Sequence, residues 1–346
     1  MGAKNIFKKV MTISAAAILT APIYCNNLTT NVRAVINTPA NQDAKPAIGT
    51  AKQPGTSNTV NDANPAVSQT KKVKTFKVAI VKKNYGIYQG NFTNKKSSSK
   101  YFHQTFNVNK TFTHNGHHYY WLNQKGKKAF GYINKNAVAK PNQAKVVKVP
   151  YVSQYVPVKT PWGCAGASMA MLLGSQGQKI TASFLTKVQN HLPMQPTKGG
   201  QKGNVYTGVG FGYVISPGAL AKYARTFKTG KKVVNISSKK LSLNDIKMYV
   251  QGGSPVLYYG FSSYQKPGDN HRNHCKVIVG YRKGKFLVYD PLYYSANDGA
   301  GTGGKNMNYD HAGTGGKNMN YDHGAKAWLK KATIQQEFCH KAITIK

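Results

Sequence analysis

The hydrophobic and polar positions fall into four textures along the chain. Val10 to Tyr24 is a mostly apolar run preceded by Lys4, Lys8 and Lys9. A basic start before a short apolar run predicts a secretory signal peptide, since a membrane span needs about 20 apolar residues. Val32-Arg33-Ala34 supplies small residues at the −3 and −1 positions of a cleavage site, so the signal peptide is predicted over residues 1–34. Residues 35–71 are rich in Ala, Pro, Thr, Asn and Gln, which cannot bury a core and predicts a disordered, flexible linker. Short alternating runs follow over 72–140: Phe76–Val81, Tyr85–Tyr88, Thr105–Val108, Tyr119–Leu122 and Gly131–Ile133. Period-two alternation with Asn115-Gly116 between two runs predicts a hairpin within a small all-β barrel or sandwich.

From residue 146 to 346 the pattern mixes helical and strand periods. Gly163–Gly174 reads as a helix of small residues, and Ser216-Pro217 caps a helix running to about Phe227. Ser242 with Asp245 three residues on is a capping-box start for a helix ending at Gly252-Gly253. Pro255–Tyr259, Cys275–Tyr281 and Lys285–Tyr289 read as strands. Helices followed by strands predict an α+β domain. "AGTGGKNMNYDH" at 300–311 recurs unchanged at 312–323, as an insertion tolerated in a surface loop does. Asn306, Asn308 and Asp310 have calcium-loop spacing, but neither copy carries the closing carboxylate such a loop needs.

Charge narrows the set of partners. The 346 residues hold 49 Lys and Arg against 9 Asp and Glu, a formal net charge of +40. No acid lies between Ala63 and Asn244, a stretch holding 29 Lys and Arg. Such a field suits nucleic acid, anionic lipid or a phosphate-rich cell-wall polymer. Export argues against nucleic acid and favours the wall polymer. The four cysteines exclude a disulfide-dense scaffold, and without a C-x-x-C pair a cysteine zinc site is not expected. No metal or cofactor is expected.

Cys164 opens the Gly163–Gly174 helix, where the N-terminal amides favour a thiolate. His274 opens one predicted strand, and Asp290 ends the next at Tyr-Asp-Pro. A hairpin at Arg282-Lys283-Gly284 would bring those strand ends together, so that a carboxylate orients an imidazole. Gln154, ten residues before Cys164, carries an amide suited to an oxyanion. Singly, each has an ordinary structural reading. A buried cysteine is usually a small hydrophobe, and Asp-Pro often starts a turn.

In the order Gln, Cys, His, Asp, the stretches "VPYVSQ", "WGCAGASMAMLL", "HCKVIVGY" and "LVYDP" resemble the double-glycine (bacteriocin-leader) peptidase-like family of papain-like cysteine peptidases. The resemblance implies Cys164 as nucleophile, His274 as base, Asp290 as its orienter and Gln154 as oxyanion donor. His271 is the rival base. His274 is preferred because the strand Val277–Tyr281 follows it at the family's offset. With the signal peptide removed, three cysteines remain, and a Cys275–Cys339 disulfide would resolve the odd number.

Upstream, "YGIYQGNF", "NVNKTFTHNGHHYYWL" and "GYINKNAV" resemble a GW module, a Src-homology-3-like wall-binding barrel. Gly131-Tyr132 stands where that family has Gly-Trp, and a surface-layer-type wall domain is the near alternative. Either implies an anionic wall polymer, teichoic acid, as partner. The combined expectation is a secreted, monomeric cysteine peptidase at the cell surface, acting on a peptide or a peptidoglycan peptide. The competing expectations are a non-catalytic wall-binding or adhesion protein, and an NlpC-type peptidoglycan amidase or endopeptidase.

Overall fold

The computed structural model describes residues 70–89, 92, 94–124, 130–262, 273–300 and 321–346. The predicted signal peptide, the linker up to residue 69, His271 and most of the tandem repeat lie outside the described residues.

The alternating runs do become strands. β1 (Thr70–Ile80), β2 (Gly86–Gln89), β3 (Asn94–Ser97), β4 (Thr105–His114), β5 (His117–Asn123), β6 (Gly131–Asn134) and β7 (Val138–Ala139) form one antiparallel sheet in the order β3-β2-β6-β5-β4-β1-β7. β1 starts two residues before the predicted start of the β region at Lys72, because Thr70 and Lys71 pair with Phe112 and Thr111. The β4–β5 hairpin turns at Asn115-Gly116, both at positive φ (47° and 71°), with His114 paired to His117. Alternation sends Val78, Ile80, Ile87, Phe106, Val108, Leu122 and Ile133 to one core. Gly131, at φ +135°, is where β6 crowds β2: a Cβ there would lie 2.7 Å from the Tyr88 carbonyl oxygen.

The second sheet gathers the described residues from 145 onward. Its elements are β8 (Lys145–Val146), α1 (Cys164–Gly174), α2 (Ala182–Asn190), α3 (Pro217–Ala224), β9 (Val233–Asn235), α4 (Leu243–Gln251), β10 (Val256–Gly260), β11 (His274–Arg282), β12 (Lys285–Tyr289), β13 (Lys326–Lys330), α5 (Lys331–Glu337) and β14 (Ala342–Ile345). The strand order is β13-β12-β11-β10-β14-β9, with β8 on β11. Ten of the eleven residues of α1 are buried, so this helix is apolar all round and sits inside. Alternation along β11 sends Cys275, Val277 and Val279 to the core shared with α1, and Ile278 to the core beneath α4. The Ser242–Asp245 capping box forms as its spacing predicts. α3 ends at Ala224 rather than near Phe227, because Thr226 and Phe227 close turns onto Tyr223 and Ala224.

Polar contacts are among those that tie the two parts to each other. His103 Nδ1 lies 2.8 Å from Asp245 Oδ1. Gln251 Nε2 donates to the carbonyls of Lys140 and Gln143, at 3.2 and 2.9 Å.

Candidate active site

Cys164 is the first residue of α1. Gly163 caps the helix without a side-chain hydrogen bond, so no capping side chain competes with the thiol for the first-turn amides. The entrance is tightly built. Gln189 Nε2 donates to the Gly163 carbonyl at 3.0 Å, and a Cβ on Gly166 would fall 2.6 Å from Gln189 Oε1. On the other side, the Ser168 hydroxyl donates to the Cys275 carbonyl at 2.9 Å, pinning α1 to β11.

The hairpin does what its spacing predicts. Val277 pairs with Tyr289, so His274 and Asp290 lie at neighbouring strand ends. His274 Nε2 is 2.6 Å from Asp290 Oδ1, both residues being buried. The Leu292 amide also donates to that oxygen, at 3.0 Å. With Nε2 taken by Asp290, Nδ1 is the ring nitrogen left for Cys164, which is among the groups that raise the imidazole's pKa. The Cys164 Sγ also lies 3.8 Å from the Asn273 carbonyl.

The protonation states follow from these contacts. A hydrogen bond from the Cys275 thiol is the largest influence on Cys164, and with the His274 contact it outweighs burial and holds the thiol well below its ordinary range. Burial opposes the charge of the His274 imidazolium. The Asp290 carboxylate and Cys164 overcome burial and raise the imidazole to about 9. Burial likewise opposes the Asp290 charge, but His274, Lys276 and the Leu292 amide hold the carboxyl below its ordinary range. A thiolate beside an imidazolium, oriented by a carboxylate, is equipped for acyl transfer.

Gln154 also reaches this neighbourhood. Its backbone amide donates to the Pro291 carbonyl at 2.8 Å, and its own carbonyl accepts from the Thr160 amide at 2.7 Å. The buried side-chain Nε2 donates to the Pro161 carbonyl, three residues before Cys164, and Oε1 has no hydrogen-bond partner among the described residues. One of the two amide hydrogens is therefore committed to the backbone.

Cys275 and Cys339 do not form the expected disulfide. Strand alternation turns Cys275 toward Cys164, while Cys339 Sγ sits 3.6 Å from the Tyr259 carbonyl.

Two features escaped the sequence reading. Lys276 is buried beside Asp290, paired with Glu337 at 2.8 Å. A charged residue inside the apolar run His-Cys-Lys-Val-Ile-Val was the available signal. The second is the loop 201–213, which packs on Trp162. Val205 accepts from the Trp162 amide at 3.0 Å, and Phe211 meets the indole at 4.3 Å between ring centroids. Val209 on this loop is 74% exposed. Tyr155, which follows Gln154 in the chain, stacks on Tyr294 at 4.9 Å.

On the first sheet, Tyr120 and Leu122 turn to the core, while Tyr119 and Trp121 take the other face. There Trp121 meets Tyr132 at 4.3 Å, Phe112 meets Tyr132 at 4.8 Å, and Phe92 stacks on His114 at 4.3 Å. A cavity of about 320 Å³ is lined by Lys82, Lys135, Lys140 and Lys145. It shares Lys82 and Gly252 with a second, of about 630 Å³, lined also by Lys83, Phe102 and Tyr249. No Asp or Glu lines either cavity.

Residues 146–317 match the model of the Peptidase_C39 like family. The match supports a peptidase in this region, of an enzyme class that acts on peptide substrates. Comparison with curated proteins gave no match. Among solved structures, the chain is similar to a protein from Bacillus anthracis described as a C39-like peptidase. Identity is 20% over 59% of this chain and 98% of that one, with a TM-score of 0.41. It is also similar to a double glycine motif protease from an AMS/PCAT transporter, solved with its leader peptide: 11% identity over 58% and 95%, TM-score 0.31. A third likeness is to a protein from Listeria monocytogenes described as an autolysin: 14% identity over 64% and 91%, TM-score 0.20.

Proposed function

We propose that this peptidase cleaves amide bonds with Cys164 as nucleophile, His274 as acid and base, and Asp290 as orienter. The observation that carries the proposal is the buried His274 with Nε2 2.6 Å from Asp290 Oδ1, next in the chain to Asn273, whose carbonyl lies 3.8 Å from Cys164 Sγ. The thiolate attacks the scissile carbonyl, and electron density moves onto its oxygen. The free hydrogen of the Gln154 amide and the first backbone amides of α1 stabilise that oxyanion. His274 gives its proton to the departing amine, leaving a thioester on Cys164. Water, losing a proton to His274, then hydrolyses the thioester and regenerates thiolate and imidazolium.

Digestion of a peptide library and of purified peptidoglycan tests this reading. New N-termini from peptides support a general peptidase, and release of stem-peptide fragments from peptidoglycan alone assigns a wall substrate. No cleavage of either by the intact chain, under conditions where Cys164 is reactive, contradicts turnover. The pH profile is a second check. His274 must be protonated to release the amine, so kcat/KM is expected to fall on the alkaline side as pH rises through about 9. An alkaline limb near 6.5, the ordinary imidazole value, contradicts the geometry.

We further propose that the protein is exported by residues 1–34 and carried through the linker to the wall as a monomer. There the first sheet, as a GW-type module, holds an anionic polymer such as teichoic acid. The net charge of +40 and the lysine-lined cavities without carboxylates support this, as does the aromatic row on the outer sheet face. Binding of the full-length Cys164→Ala chain to purified walls should weaken sharply between 0.1 and 1 M salt, as the Debye length falls from about 10 to about 3 Å. Walls stripped of teichoic acid should retain much less protein. Retention that ignores both salt and stripping contradicts an electrostatic anchor.

A further inference from the structure

Lys276 sits on β11 two residues after His274, and its side chain is 1% exposed. Its neighbours on the strand, Cys275 and Val277 to Val279, are all buried and apolar. Lys276 Nζ lies 2.8 Å from Glu337 Oε2 and 3.7 Å from Asp290 Oδ2. Glu337 is the only glutamate in the chain and ends α5. Its Oε1 accepts from the Tyr258 hydroxyl and its Oε2 from the Phe261 amide, at 3.0 Å. The end of β10 is shaped around it: a Cβ on Gly260 would lie 2.9 Å from Glu337 Oε2. Asp290 therefore has its two oxygens divided. Oδ1 meets His274 Nε2 and the Leu292 amide, and Oδ2 faces Lys276.

A buried ion pair is a poor way to stabilise a fold, because desolvation of two charges cancels much of their attraction. An apolar residue at 276 would pack this strand at no such cost. The pair instead lies with its positive end toward Asp290 and its negative end away from it. We propose that Lys276, held by Glu337, is a positioning residue that fixes the Asp290 carboxylate and its charge, and through it sets the electrostatic potential of the Cys164–His274 pair. The inference rests on the triad reading given above. The charged and titratable groups around Lys276 are Asp290 beyond β12, Glu337 on α5, Tyr258 on β10, His274 on its own strand, and Asp322 and His323 before β13. Lys276 is a cation that faces both carboxylates, so its loss makes the site's potential more negative. Loss of Glu337 makes it more positive.

The test reads the pH at which Cys164 becomes reactive, from the rate of iodoacetamide alkylation followed by the mass of the Cys164 peptide. It needs no substrate. Lys276→Met is expected to move that onset up by roughly 0.5–1 pH unit, and Glu337→Gln to move it down by a similar amount. The double variant is expected to return close to the wild-type onset. A merely structural role lowers stability without producing opposite shifts that cancel. Profiles that coincide in all variants, with a depressed wild-type onset, overturn the inference and leave the triad standing. An ordinary wild-type onset near 8.5 overturns both. If Lys276→Met does not fold, Glu337→Gln and the double variant still decide, since an unshifted Glu337→Gln profile overturns the inference.

Discussion

Cys164→Ala is expected to lower peptide hydrolysis by at least on the order of 10⁴-fold, because no other described group can carry the acyl intermediate. Cys275 is the nearest thiol, but burial and the Cys164 charge push its pKa well above the ordinary range, so it remains a poor nucleophile. The fold should be retained. Alanine follows at 165 and 167 in the same helix, and the substitution removes one sulfur atom from a site already lined by small residues. Steady-state hydrolysis and a thermal melt, measured on the same preparation, check both halves. A variant that keeps its melt and its activity refutes the assignment.

His274→Ala is expected to cost roughly 10³-fold, the range of general acid–base catalysis, since proton delivery to the amine is lost with the imidazole. Asp290→Asn should cost less, roughly 10–100-fold, because an amide oxygen can still accept from Nε2 and keep the ring in place. Its diagnostic effect is on pH. The Asp290 charge is the largest influence raising His274, so its removal lets burial pull the imidazole down. The alkaline limb should then move from about 9 toward more acid pH. If the limb stays in place while the rate falls, Asp290 is not the group that charges His274.

The residues of the proposed triad are legible in the sequence because each stands at a local signal. Cys164 starts a helix, and His274 and Asp290 flank a hairpin whose turn, Lys283-Gly284, takes positive φ at both residues (46° and 78°). Register then follows from the turn, and with it the meeting of the strand ends. Partners distant in sequence left no such mark. Lys276 and Glu337 are 61 residues apart, and α5 and β14, which set Glu337 in place, follow the tandem repeat where the local pattern is least informative. β14 pairs with both β10 and β9, so the last strand of the chain lies inside the sheet. A propensity reading finds strands but not the order in which they pair. The missing Cys275–Cys339 bond has the same origin: parity counts cysteines, whereas strand direction decides which sulfur each one meets.

The central claim is that the C-terminal region cleaves peptides through a thioester on Cys164. Rapid acid quench of the wild-type chain with a cleaved peptide in excess, followed by mass analysis of the Cys164 peptide, addresses it most directly. The account predicts an added mass equal to the N-terminal part of the substrate, on Cys164 alone, absent from Cys164→Ala and lost on treatment with hydroxylamine. Turnover with no such adduct, undiminished in Cys164→Ala, would contradict it.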